Sequence, residues 1–113
     1  MTILHKANTT KILVLPKKEF DNQILLGGGL TALFTKYKCD ISQYSIAYYT
    51  SDTDLDLKVL DYQKTIVFTD SINPSKIEKE GKLTLILPSF SKIALCTEKL
   101  QPFLGRAIEM CNQ

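Results

Sequence analysis

Three short stretches of this chain are apolar at nearly every residue instead of at every second one: Ile12-Leu13-Val14-Leu15, Ile66-Val67-Phe68 and Leu83-Thr84-Leu85-Ile86-Leu87. A strand with one wet face alternates apolar and polar residues, so continuous runs of this length predict strands buried on both faces, as in a parallel sheet covered by helices. Tyr44-Ser45-Ile46-Ala47-Tyr48-Tyr49-Thr50, aromatic and β-branched, predicts a fourth strand. The segments between supply the covers. Leu26, Leu30, Leu33, Phe34 and Tyr37 recur at helical spacing and predict a helix over about 22–38, weakened in its first half by Gly27-Gly28-Gly29. Leu55 to Tyr62 reads as a crossover helical turn, and Ser89 is placed to cap a turn over 90–95. Leu100, Phe103, Leu104, Ala107, Ile108 and Cys111 form an amphipathic stripe from Thr97 onward, interrupted at Pro102 unless that proline falls in the first turn. Glu78-Lys79-Glu80-Gly81 reads as a polar connection. The expected fold is a three-layer α/β/α domain around a small, mainly parallel, four-stranded sheet.

At 113 residues the chain has room for one core, so residues 11–113 are expected to form a single domain behind a short arm, 1–10. Fourteen basic residues against twelve acidic leave a net charge of +2, too small for a domain that grips nucleic acid by charge. His5, Lys6, Lys11, Lys17 and Lys18 do precede the first acid, Glu19, and read as a solvated basic edge. Cys39, Cys96 and Cys111 are odd in number and lack a C-x-x-C pair. With neither a signal-peptide pattern nor an apolar run of membrane length, this predicts reduced thiols, no membrane contact and a cytoplasmic location.

In a parallel sheet, ligands collect beyond the carboxyl ends of the strands. Here those ends read Pro16-Lys17-Lys18-Glu19, Thr50-Ser51-Asp52, Thr69-Asp70-Ser71 and Pro88-Ser89-Phe90. Neither G-x-G-x-x-G nor G-x-x-x-x-G-K-[ST] is present, and the triple glycine lies eleven residues past its strand, so no phosphate loop is expected. Asp52, Asp54 and Asp56 begin like a calcium loop, but Leu57 stands where glycine is needed and Gln63 where the bidentate glutamate belongs. With His5 as the single histidine, imidazole zinc sites and Ser–His or Cys–His pairs are excluded. No cofactor and no metal are expected. Glu19 and Asp70 form the alternative site, an acid and a base on adjacent strand ends. Against it stands the reading of Asp70-Ser71-Ile72-Asn73-Pro74 as a capping turn.

Several known families resemble parts of the chain. The region from Ile12 to Asp52 is similar to the opening of the LmbE/PIG-L deacetylases, with Glu19-Phe20-Asp21-Asn22-Gln23 in place of their H-P-D-D-E motif. Val67 to Pro74 resembles the phospho-acceptor strand of response-regulator receivers, with Pro16-Lys17 in place of the acidic pair, and also the D-x-D strand of Toprim nucleases, with Ile72 at the second aspartate. These resemblances imply, as the alternative, a degenerate α/β hydrolase or a pseudo-receiver regulatory domain. A further resemblance runs over residues 11–111. Leu25-Leu26 with Leu30, Leu33 and Phe34, then Ile66-Val67-Phe68, then Leu87-Pro88-Ser89-Phe90-Ser91-Lys92-Ile93, and finally Leu104 and Ile108 resemble the psi subunit family of bacterial DNA polymerase III. The chain lacks the tryptophan usual in that family's last helix, and its arm is shorter than the tail by which psi reaches the clamp loader. The resemblance implies a uracil-glycosylase-like α/β fold without catalysis. It also implies pairing with the chi subunit, and a role as a protein bridge in replication. For such a module Tyr44, Tyr48, Tyr49 and Phe90 are the candidate aromatic anchors of a protein interface.

Overall fold

A computed structural model describes residues 2–5, 10–21, 31–51, 62–89, 92 and 97–111. Its strands are β1 (Thr2–His5), β2 (Lys11–Pro16), β3 (Ser45–Tyr49), β4 (Lys64–Phe68), β5 (Ser75–Lys79) and β6 (Lys82–Leu87). Its helices are α1 (Lys17–Phe20), α2 (Thr31–Lys36) and α3 (Thr97–Cys111), with a 3-10 turn at Ile41–Gln43. One sheet holds all six strands in the order β1-β3-β2-β4-β6-β5. The inner four, β3, β2, β4 and β6, run parallel, and they are the four strands that the sequence predicts.

The two outer strands were not expected. Thr2–His5, read as part of an arm, pairs antiparallel with β3, with a bulge between Ile3 and His5. Ser75–Lys79, which overlaps the polar connection read at Glu78-Lys79-Glu80-Gly81, pairs antiparallel with β6. Among the described residues the sheet therefore has six strands, not four. Both additions are edge strands, and an edge strand needs few apolar residues, because its hydrogen bonds to one neighbour hold it in place.

Continuous burial of the inner strands divides their side chains between two clusters. Leu13, Leu15, Ile66, Phe68, Leu85 and Leu87 point to one face. There they meet Phe34 of α2 and Leu104, Ala107 and Ile108 of α3. Ile12, Val14, Ala47, Tyr49 and Val67 point to the other face, with Tyr62 packed against them. Both faces are dry, as the central layer of an α/β fold requires. The predicted stripe of the last helix is confirmed at Leu104, Ala107 and Ile108. Pro102, however, lies inside α3 rather than in its first turn. Proline removes one backbone hydrogen bond, and here it sits on the solvent side, where water can take the orphaned carbonyl. Gly105 lets α3 approach the turn that follows α2: a Cβ there would lie 2.6 Å from the Tyr37 ring.

Of the helix predicted over 22–38, the described part is α2 and the turns that follow. It ends with Lys38 in the left-handed region, φ 60°, so that the Cys39 N–H returns to the Phe34 carbonyl at 2.9 Å. The triple glycine and the turns expected at 55–61 and 90–95 lie outside the described residues, save Lys92. Its N–H donates to the Ser89 Oγ at 3.3 Å, the cap predicted for Ser89. At its far end α3 has no basic residue in its last turn. The Nζ of Lys64, from the start of β4, donates instead to the Met110 carbonyl at 3.1 Å and meets the negative end of the helix dipole.

The β5–β6 hairpin turns on two residues, Glu80 (φ 54°) and Gly81 (φ 76°), between the paired Lys79 and Lys82. Two positive φ values make this a type I′ turn, the two-residue form whose twist suits a hairpin. Glutamate is a poor occupant of its first position, where asparagine is favoured. Glu80→Asn is expected to stabilise the protein by about 0.5–1 kcal/mol, and Gly81→Ala to destabilise it by about 1 kcal/mol. Urea midpoints measured at unchanged slope check both values.

Candidate functional site

Strand order places one break in the winding of the parallel sheet. From β2 the chain moves first to β3 on one side and then returns to β4 on the other, so the switch point lies between the carboxyl ends of β2 and β4. The two candidate carboxylates stand there, Glu19 in α1 directly after β2 and Asp70 two residues after β4. Their environments differ. Glu19 is buried, at 2 % exposure, in a one-turn helix whose outer face carries the Lys17–Asp21 ion pair at 2.6 Å. Asp70 is exposed.

Asp70 caps no helix that follows it; the next element is β5. Its Oδ1 accepts the Ser89 N–H at 2.9 Å, while the Thr69 N–H donates to the Leu87 carbonyl at 2.8 Å. The reason is topological. Between β4 and β6 the chain crosses to β5 on the far side of β6, so residues 69–74 must pass over the carboxyl end of β6. Asp70 therefore caps the neighbouring strand's exit, nineteen residues away. The Thr69 Oγ1, accepting the Ser71 N–H at 3.1 Å, tightens the same turn. The Ser89 N–H holds the Asp70 carboxyl below its ordinary range, against a smaller opposing effect of burial. The Ser89 side chain, Lys92 and Lys18 lower it further.

The four aromatic candidates divide. Tyr44 is fully buried, edge-on to Phe34 with ring centroids 5.5 Å apart, and the Cys39 thiol donates to its hydroxyl at 3.7 Å. Tyr49 is buried on the opposite face, and its hydroxyl donates to the Phe68 carbonyl at 2.8 Å. Neither can anchor a partner, because both rings already fill the core; this corrects the sequence expectation. Tyr48 is half-buried between Phe20, at 5.4 Å, and the Lys17 ammonium, at 5.7 Å from the ring centre. Phe90 lies outside the described residues.

The surface that sequence reasoning missed is the β5 end of the sheet. All five residues of β5 are exposed, and the large apolar side chains Ile72 and Ile77 are 40 % and 44 % exposed. On the α3 side an apolar groove of about 220 Å³ runs between this edge and the helix, lined by Pro74, Lys76, Leu85, Leu87, Ala107 and Met110. The available signal was the Lys76-Ile77-Glu78 alternation followed by a glycine turn and a confident strand, which is a hairpin pattern. Among the described residues, no three histidine, cysteine, aspartate or glutamate side chains come together as a metal-ligand set. No described helix is long and apolar enough to cross a membrane. No protein-family model, curated protein sequence or solved structure matches the chain.

Three outcomes test this geometry. Because its folded pKa lies below the unfolded value, Asp70 stabilises the fold fully above about pH 4 and progressively less as the pH falls through the folded pKa. Asp70→Asn should therefore flatten the loss of stability below pH 4. Asp70→Ala should cost about 1 kcal/mol at pH 7, small for a charged hydrogen bond because solvent screens it. Tyr49→Phe, which leaves the Phe68 carbonyl without that donor, should cost about 1–2 kcal/mol independently of pH between 5 and 8. Urea unfolding across pH reads all three.

Proposed function

We propose that this chain is a non-catalytic protein-interaction module, an accessory subunit of psi type in bacterial DNA replication, acting in the cytoplasm. The observation that carries the reading is the β5 end of the sheet, where a fully exposed edge strand borders an apolar groove beside α3. An open edge offers unpaired backbone groups, and an adjoining apolar groove offers a dry seat for side chains. Together these are the usual means by which one chain holds another.

The polar groups at the switch point favour the same reading. Asp70 and Tyr49 bond to the backbone at a neighbouring strand's end, and Thr69 and Ser89 each tighten a local turn. The first two are structural cross-links of the sheet. The α/β fold is compatible with a psi-type subunit.

The test is direct binding. The full chain, mixed with the chi subunit of the polymerase III holoenzyme from its own source organism, should sediment as a one-to-one complex at about 10 μM. Separate boundaries for the two proteins up to about 100 μM would overturn the psi-type assignment.

A further inference from the structure

The outer edge of β5 is complementary to itself. In a type I′ hairpin the residues flanking the turn form a hydrogen-bonded pair, so Lys79 and Lys82 bond each other, and pairs then alternate along the ladder. Ile77 and Ser75 thus turn their backbone groups toward β6, while Lys76 and Glu78 turn theirs outward. The side chains alternate as well. Ile77 stands opposite Thr84, on the face away from α3, whereas Lys76 and Glu78 stand opposite Leu85 and Leu83 on the α3 face.

We propose that a second copy of this chain pairs with this edge, β5 against β5 in antiparallel fashion, with the two-fold axis passing beside Ile77. In that register the outward groups of Lys76 meet those of Glu78 from the second copy, and the reverse, giving four backbone hydrogen bonds. Lys76 faces the opposite charge of Glu78 twice, and the two Ile77 side chains meet at the central pair without hydrogen bonds, where cross-strand side chains are closest. The neighbouring registers that the outward hydrogen bonds also permit are centred on Lys76 or on Glu78. Each sets like charge against like, lysine on lysine or glutamate on glutamate, and is disfavoured. The ion pair that Lys76 and Glu78 make within one strand, 3.0 Å with both side chains at least half exposed, is replaced by two pairs between strands. The result is a closed, isologous dimer whose sheet continues across the axis for twelve strands. A contact this short belongs with small interfaces, so the dimer forms with rising concentration. It uses the edge on which the functional reading rests but needs no psi-type partner, and the two fail separately: chi binding is read with chi present, self-pairing without it.

Sedimentation equilibrium of the full chain from about 10 μM to 1 mM tests the proposal. The wild type should show a monomer–dimer equilibrium that weakens with salt. Lys76→Glu alone and Glu78→Lys alone each create two like-charge pairs and should weaken self-association about tenfold or more. An equimolar mixture of the two variants, and the double reversal in one chain, should restore it. Recovery on mixing also shows that both variants are folded. A wild type that stays monomeric, a dimer that neither single reversal weakens, or loss without recovery on mixing would each overturn the pairing.

Discussion

Ile12, Leu13, Val14 and Leu15 are four consecutive residues with no more than 1 % of their surface exposed, and Ile66, Val67 and Phe68 repeat the condition on the adjacent strand. Successive side chains on a strand point to opposite faces, so such runs persist only where both faces of the sheet are covered. The rest of the structure follows from that requirement. β2 and β4 must lie at the centre, β3 and β6 must flank them, and α3 must lay its apolar stripe on one of the two faces. Any one of these side chains left in water would forfeit about 1.5–3 kcal/mol, a large part of the stability of a domain this size.

Parallel central strands also bring their carboxyl ends to one edge, and that edge is where an α/β domain ordinarily places its chemistry. Here a connecting loop lies across part of that edge. Because the link from β4 to β6 detours through an outer strand instead of a helix, a loop must cross the mouth of the sheet. The Asp70–Ser89 hydrogen bond fastens it there. The same detour leaves β5 as the outermost strand, open along one side. Closing the strand ends and exposing a sheet edge are two results of one piece of topology.

The four inner strands and the last helix were legible in the sequence, because continuous apolar runs and a 3.6-residue stripe report burial directly. Of the edge strands only β5 left a trace, the short alternation at Lys76-Ile77-Glu78 before a glycine turn. Ser75-Lys76-Ile77-Glu78-Lys79 carries one apolar residue, and what makes it a strand is the hydrogen-bonding edge of β6, contributed by residues that follow it. At the candidate site, Glu19 and Asp70 do stand at the ends of neighbouring strands: the parallel pattern brings strand carboxyl ends to one edge, and the strand order that makes β2 and β4 neighbours came with the fold. Their environments were out of reach. The tyrosines failed as anchors for a related reason: Tyr48 and Tyr49 are adjacent and pleating sends them to opposite faces, Tyr49 into the cluster with Ile12, Val14, Val67 and Tyr62 and Tyr48 half open beside Phe20.

Sequence alone determined that this chain builds a parallel sheet covered on both faces, because local apolar patterning selects secondary structure and its burial over windows of a few residues. Tertiary structure decided which polar groups meet. Asp70 finds Ser89 nineteen residues on, and Lys64 finds Met110 forty-six residues on. Tertiary structure likewise decided which edge stays open. Hydrogen bonds across the sheet depend on strand order and loop path, and these emerge only when the apolar runs have been packed against one another.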